Sequence, residues 1–476
     1  MAAAMAPLKA LIITALLLLL ASTYTLAEAA PRSSSSSAAA VYRLELIHVD
    51  ANGNFTKDEL IHRAEHRSHA RAAVTFTGGD DDGHTYLETA SFDSAEYLLK
   101  LRIGKPERPF LAVADTGSDE TWTKKRELCD PSGSSSSFSK CQDQHLCDFR
   151  RTYGSGKVTV QGIKADEVLT LSLCRYKLLG RWCVRTEKKQ VSIPLGCAVS
   201  CSKGCDKVIP EGADGILGLD LSPRSFLSLL RKKEKITKLS YCLSSRLQPH
   251  LSSPLWFGGA ELDLAAAVPP VPGVQSAPLV SIAAATGSPW SYKYYVELVG
   301  VSMNVGGGAH RVVELSGNVF NHRSNVGIKN GVMLVDSGCS FSKLETPAFN
   351  AIKNLLEEGL KTESFLPEDK DKRQWTCFHK PWTHGDHPDI VLTLHLGGGA
   401  KMPLPWSSYM MPMNIATKDG EPPKELSCLA IKDADENISI LGNFQQQNIH
   451  MLYDLQPSKT KELLFAPVQD CSKREL

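Results

Sequence analysis

Two short stretches of this chain carry the residue types needed for acid–base chemistry. Leu111-Ala-Val-Ala-Asp115-Thr116-Gly117-Ser118 is an apolar run ending in a carboxylate and turn formers, and Met333-Leu-Val-Asp336-Ser337-Gly338-Cys339 repeats it. Each reads as a buried strand breaking into a tight turn. Each is followed by an apolar pair and a glycine, Ile216-Leu217-Gly218 and Ile440-Leu441-Gly442, at 102 and 105 residues from aspartate to leucine. A lone Asp-Ser-Gly is an ordinary turn. Two copies with partners at matched spacing imply a duplicated lobe, with one aspartate from each half meeting at a pseudo-twofold axis. Two carboxylates held that close cannot both ionise easily, so one pKa rises and they share a proton over an acidic range. Such a pair can deprotonate a water with one carboxylate while the other protonates or hydrogen-bonds a carbonyl, without metal or covalent intermediate.

Other chemistries fit these residues less well. Neither loop adds a histidine for a metal, and Gly117-Ser118 has no nucleophile elbow around it. Gly306-Gly-Gly308 lacks a phosphate-binding context. Cys197-x3-Cys201-x3-Cys205 has no nearby histidine and not the spacing of a zinc knuckle, so disulfides in a loop are expected there.

Further markers surround the two aspartates. They are Trp122, seven residues after Asp115; Tyr153-Gly154 ahead of Val158-Thr-Val160; and Ala213-Asp-Gly-Ile-Leu-Gly-Leu219. The second half adds Ile440-Leu-Gly-Asn-Phe-Gln-Gln-Gln-Asn-Ile449 and Leu452-Tyr-Asp-Leu455. On these residues the chain, from about Glu96 to Cys471, resembles the pepsin-like aspartic proteases (family A1). Within them it resembles the plant nepenthesin-like group, some of whose members are described as chloroplast-nucleoid DNA-binding proteins.

The resemblance implies a mostly β, bilobal, pepsin-like double-β-barrel fold with a central cleft, acting as an aspartic endopeptidase on peptides or proteins at acid pH. It implies Asp115 and Asp336 as the catalytic pair, supported by Thr116, Gly117, Ser118, Ser337, Gly338 and Cys339, with Thr116 and Ser337 tying the two loops together. Tyr153 and Gly154 would form a flap buttressed by Trp122, and Gly218 and Gly442 would pack behind the aspartate loops. Taken singly, Trp122 is a core aromatic, Tyr153 a packed strand aromatic and Ser118 a turn former. Four residues depart from the family pattern: Cys339 for a threonine that supports the second aspartate, Glu120 for an aliphatic residue, Lys125 for a cysteine, and Ser155 for a flap aspartate. The same fold also serves in plants as secreted inhibitors of cell-wall-degrading glycosidases, which is the alternative reading.

With 476 residues, length alone suits several domains. The 53 basic and 52 acidic side chains nearly balance, so bulk charge argues neither for nucleic acid nor for a membrane surface, and neither partner is expected. Residues 1–29 read as a signal peptide: Lys9, an apolar core from Ala10 to Ala21, and Ala27-Glu-Ala29 for cleavage. That run is too short to span a bilayer comfortably, and no other stretch approaches eighteen apolar residues. A monomer secreted to the apoplast or held in the vacuole is expected, rather than a chloroplast protein. Thirteen cysteines after an export signal imply a disulfide framework with at least one thiol left over. Asn54 and Asn437 head glycosylation sequons. No cofactor is expected.

Residues 30–90 read as a propeptide, 91–275 as the N-terminal lobe and 276–476 as the C-terminal lobe. Within the propeptide, Val41 to Asp50 alternates like a strand, Thr56 can cap a helix through Arg71, and Gly78–Gly83 is an acidic link where processing can occur. Later expectations are strands from Glu96 to Val113 turning at Gly104-Lys-Pro106, a solvated helix over Ser225–Lys238, an inter-lobe linker over Ala265–Val280, a strand from Tyr294 to Val305, and a helix over Thr346–Leu356.

Overall fold

A computed structural model describes residues 41–69, 96–128, 148–153, 158–177, 180–202, 205, 209–264, 272–282, 289–305, 311–315, 331–367, 375–379, 390–415, 424–434 and 438–474. The expected signal peptide, the Gly78–Gly83 link, Gly154, Ser155 and Asn437 lie outside them.

Alternation of apolar and polar residues marks strands such as Tyr97–Ile103 and Ile390–Leu396, because side chains two apart share a face of a pleated ribbon, whereas Gly215–Gly218 and Val332–Val335 are buried throughout. Among the described residues the strands form sheets of thirteen, eight and four. In the largest, Tyr97–Ile103 pairs antiparallel with Arg108–Asp115, turning through Gly104, whose φ is +85°. The second half's counterparts are Tyr295–Val305 and Val332–Val335, also antiparallel, in the eight-stranded sheet. The large sheet joins the halves: Ile449–Asp454 pairs with Lys238–Cys242, and Gln275–Pro278 with Glu462–Pro467. A disulfide between Cys242 and Cys471 fastens the same junction. The fold is mostly β and bilobal.

The strand Val41–His48 lies inside this sheet, paired with Ser253–Gly258 on one side and Tyr97–Ile103 on the other. The helix after it, Lys57–His69, opens on a reciprocal cap. The Thr56 N–H donates to Glu59 Oε2 at 2.7 Å, and the Glu59 N–H donates back to Thr56 Oγ1 at 3.3 Å. Its Leu60, Ile61 and Ala64 are buried, Ala64 among Phe341, Trp375, Met411 and Phe444 of the second half. Arg63 Nε binds Asp50 at 2.7 Å, and Arg246 pairs with buried Glu96.

Three sequence expectations need correction. The helix expected to Lys238 ends at Glu234, because Lys235 turns left-handed at φ 55° and Ile236-Thr237 lead into the strand Lys238–Cys242. Lys238 is not solvated: its Nζ donates to the Leu262 carbonyl at 2.7 Å and faces Asp454. The stretch assigned to the linker contains the strand Gln275–Pro278, which finds an open edge at Glu462–Pro467. The helix at Thr346 runs on to Leu360, with Pro347 in its first turn, where a missing N–H costs nothing. The disulfides expected around Cys197, Cys201 and Cys205 are present: Cys201 bonds Cys205, and Cys197 is also disulfide-bonded. Cys377 bonds Cys428.

One core residue is placed to oppose folding in acid. His450 is stacked on Trp256 with its Nε2 2.9 Å from Ser240 Oγ, and burial, helped by Arg474, pushes its imidazole down to about 3. A histidine held neutral in the fold favours folding above its unfolded pKa near 6.5 and opposes it progressively as pH falls towards the folded value. Between pH 6.5 and pH 4 that amounts to roughly 3 kcal/mol of lost stability. Urea titrations at pH 7 and pH 4 should show a smaller loss on acidification in His450→Leu than in wild type; equal losses would assign the acid sensitivity elsewhere.

Candidate active site

Each aspartate is delivered by a buried parallel strand pair. Arg108–Asp115 runs beside Gly215–Gly218 with Asp115 opposite Gly218, and Val332–Val335 runs beside Ser439–Leu441 with Val335 opposite Leu441. The Leu219 N–H donates to the Asp115 carbonyl at 2.8 Å, and the Asp336 N–H donates to the Leu441 carbonyl at 3.0 Å. Gly218 and Gly442 are glycine for lack of room. A Cβ on Gly218 would stand 2.6 Å from the Glu120 nitrogen, and one on Gly442 2.6 Å from the Phe341 carbonyl carbon.

The turns after the strands interlock. The Thr116 N–H donates to Ser337 Oγ at 3.1 Å, and the Ser337 N–H donates to Thr116 Oγ1 at 2.9 Å. Each hydroxyl then donates across to the opposite strand, Thr116 to the Val335 carbonyl at 3.0 Å and Ser337 to the Ala114 carbonyl at 2.7 Å. Within each turn a glycine N–H donates to the carboxylate two residues back at 2.8 Å, Gly117 to Asp115 Oδ1 and Gly338 to Asp336 Oδ1. The turns stand so close that a Cβ on Gly117 would lie 2.5 Å from Asp336 Oδ2, and one on Gly338 would collide with Asp115. The two carboxylates therefore face one another, and they are joined by a hydrogen bond.

Both groups are buried, Asp115 to 1 % and Asp336 to 5 % exposure. Burial first, and then the neighbouring Asp115 charge, hold the Asp336 carboxyl well above the usual range, while the Gly338 N–H and the Lys293 ammonium pull the other way. The pair can thus share one proton, with one carboxylate free to accept and the other to donate. The support around the two turns differs. Ser118 Oγ donates to Asp115 Oδ2 at 2.5 Å, whereas the Cys339 thiol is turned to the Phe341 carbonyl at 3.3 Å. Cys339 is a buried thiol outside any disulfide.

Trp122 is wholly buried, packed with Val158 and Val160 of the hairpin that carries Tyr153. The backbone of Tyr153 closes the strand Asp148–Tyr153 opposite Val158. Asn54 is exposed. Two of the departures from the family pattern, Glu120 and Lys125, have charged partners. Glu120 binds Arg151 at 2.5 Å and Lys164 at 2.6 Å, and Lys125 binds Asp214 at 2.7 Å.

Sequence reasoning missed the floor of the site. Gln446 Nε2 donates to the Asp336 carbonyl at 3.3 Å, Tyr241 Oη donates to Gln446 Oε1 at 2.6 Å, and Tyr453 lies 2.9 Å from Tyr241 Oη and hydrogen-bonds Thr116. Asn443 Nδ2 donates to the Ser337 carbonyl at 3.1 Å. Asn443 and Gln446 sit in the motif after Gly442, where amides in an apolar run were the available signal. Lys293, a single cation in Tyr292-Lys-Tyr-Tyr-Val296, gave a similar one.

The raised Asp336 pKa fixes a sign. A carboxyl whose folded pKa exceeds its unfolded value near 3.9 holds its proton better in the fold, so its ionisation destabilises the protein as pH rises from there through the folded pKa. Asp336→Asn removes that titration. Its thermal midpoint should exceed wild type at pH 7 and match it at pH 3; a lower midpoint at pH 7 would contradict the strained ionisation.

Comparison with known proteins agrees with this geometry. A family model described as "Xylanase inhibitor N-terminal" matches residues 97–259, and one described as "Xylanase inhibitor C-terminal" matches residues 293–466. Aspartic proteinase nepenthesin-1 of Nepenthes gracilis is 26% identical over 439 residues, covering 87% of this chain and 87% of its own. Aspartyl protease family protein 2 of Arabidopsis thaliana is 28% identical over 465 residues, covering 89% and 84%. Among solved structures, conglutin gamma, a basic 7S globulin from lupine seeds, superposes with a TM-score of 0.57 at 14% identity over 91% of this chain and 98% of its own. Soybean basic 7S globulin gives 0.57 over 92% and 98%, again at 14% identity. With both halves matched and the paired Asp-Thr-Gly and Asp-Ser-Gly turns interlocked, the chain belongs to the plant pepsin-like aspartic protease family.

Proposed function

We propose that this protein is a secreted aspartic endopeptidase that hydrolyses peptide bonds at acid pH. The observation that carries this reading is the buried, mutually hydrogen-bonded pair Asp115 and Asp336, with its turns interlocked through Thr116 and Ser337. A water held between the carboxylates loses its proton to the ionised one and attacks the scissile carbonyl. The protonated one donates to the carbonyl oxygen and later to the leaving amine. The hairpin ending at Tyr153 closes over the peptide as a flap and excludes water. The pair loses its shared proton as pH rises, so activity falls towards neutrality.

Residues 1–29 direct export to the apoplast or vacuole, and residues 30–90 restrain the zymogen. Activation then requires Val41–His48 to leave its place between Ser253–Gly258 and Tyr97–Ile103. The enzyme works as a monomer on peptides or proteins, and no helix among the described residues is long and apolar enough to cross a membrane.

A second reading, a protease-fold inhibitor of cell-wall-degrading glycosidases, draws support from the names of the two family models and from the thiol at Cys339. Digestion of denatured protein at pH 3–6, with and without pepstatin, separates the two. The endopeptidase reading expects pepstatin-sensitive cleavage that disappears in Asp115→Asn and Asp336→Asn. Folded protein that cleaves nothing yet inhibits a xylanase would establish the alternative.

Cys339 sets an expected rate. A thiol is a weak donor, and a hydrogen bond to a charged group is worth roughly 1.5–3 kcal/mol. If Cys339→Thr restores part of that to Asp336, kcat/KM at acid pH should rise by up to about tenfold per 1.4 kcal/mol regained. Cys339→Ala, which removes only the bond to the Phe341 carbonyl, should stay near wild type; a Thr variant no faster than wild type would remove Cys339 from the account.

A further inference from the structure

The segment Tyr292–Tyr294 touches both aspartate loops. The Tyr292 carbonyl accepts from the Leu221 N–H at 2.8 Å, and Tyr294 Oη donates to the Leu219 carbonyl at 2.6 Å, both just beyond Gly218. The Tyr294 carbonyl accepts from the Val335 N–H at 2.9 Å, one residue before Asp336. Between them Lys293 reaches the first turn, its Nζ donating to the Gly117 carbonyl at 2.6 Å and to Asp220 Oδ2 at 2.8 Å. The Lys293 side chain is 8 % exposed and that of Asp220 is fully buried. Asp220 is itself held by the Ser222 N–H, which donates to its Oδ1 at 2.8 Å.

A buried ion pair is poor evidence for stability, since well-packed apolar residues often serve as well. Here the ammonium has a second ligand, the carbonyl between the catalytic turn's own residues, so its placement has a consequence for the pair. We propose that Lys293 is a positioning residue for Asp115 and Asp336, clamping the Gly117 carbonyl and keeping a fixed positive charge beside the two carboxylates. This rests on the acid-endopeptidase reading of the site.

The charges around Lys293 decide the sign. Asp115 and Asp336 face it from the two turns, Asp220 from the segment after Gly218, and Asp119 from the first turn. Asp119 is already matched by Arg151 at 3.2 Å and Arg224 at 2.6 Å, and Glu120 by Arg151 and Lys164. Burial pushes the Asp220 carboxyl up to about 6 despite Lys293. In the acid range Asp220 is therefore mostly neutral, and the Lys293 charge falls on the catalytic pair uncompensated. A positive charge favours carboxylate ionisation, so Lys293 holds the working range at lower pH.

The test compares kcat/KM against pH for wild type, Lys293→Met, Lys293→Met/Asp220→Asn, Lys293→Arg and Asp220→Asn. The double variant guards against a Lys293→Met protein that fails to fold around an orphaned Asp220. Either Met-bearing protein should move both limbs of the profile upward by about one pH unit. Lys293→Arg should keep the wild-type limbs, and Asp220→Asn should leave the acid limb in place. A Met profile that is lower but unmoved would make Lys293 merely structural and overturn the proposal. So would an Asp220→Asn profile displaced as far as that of Lys293→Met. Carbon-13 titration of aspartate-labelled protein reads the pair without turnover: its apparent pKa values should rise in the double variant, and unchanged values would overturn the proposal. If wild type cleaves nothing at any acid pH, the endopeptidase reading fails, while the carboxyl titration still decides the role of Lys293.

Discussion

Two like charges brought together in a dry site repel one another, and the architecture around the dyad opposes that repulsion. The restraint is a reciprocal set of four hydrogen bonds, in which Thr116 and Ser337 each give and receive across the junction between the halves. None of these bonds is individually large, since a neutral hydrogen bond contributes only about 1 kcal/mol net. Their value lies in direction: together they fix both backbone turns, and Gly117 and Gly338 leave each opposing carboxylate the space a side chain would take.

That local lattice needs rigid supports on both sides. The parallel pairs under each aspartate provide them, with Gly218 and Gly442 letting a second strand pass against the turn. Below lies a buried polar floor of Gln446, Tyr241 and Tyr453, which is satisfied internally and so specifies one arrangement rather than several. The large sheet through Lys238–Cys242 and Ile449–Asp454, fastened by Cys242–Cys471, keeps the halves from drifting apart beneath the cleft.

The charged groups set opposing slopes against pH. Asp336 and Asp220 hold their protons more tightly in the fold, which favours acid, whereas neutral, buried His450 favours higher pH. Glu120 and Lys125, which break the family pattern, are each matched by an opposite charge within hydrogen-bonding distance. A buried charge that acquires a partner is tolerable where a lone one is not.

The sequence alone determined the duplication, the two carboxylates and the mostly β, two-lobed architecture, because these are written in local pattern: apolar runs ending in Asp-Thr-Gly or Asp-Ser-Gly, and matched Ile-Leu-Gly repeats. It also located the helix cap at Thr56 and the proline at the start of Thr346–Leu360, which depend on residues within one turn. Periodicity misread Ser225–Lys238, where a left-handed Lys235 and strand pairing with Ile449–Asp454 outweigh helical spacing. It also misread Gln275–Pro278, whose partner strand lies almost two hundred residues later. The roles of Lys293, Asp220 and the tyrosine floor were illegible for the same reason. Each acts through partners remote in sequence, and a lysine or tyrosine in an apolar run carries no local mark of what it will face. Only the tertiary structure decides that, by bringing the Gly117 carbonyl to Lys293 and Thr116 to Tyr453.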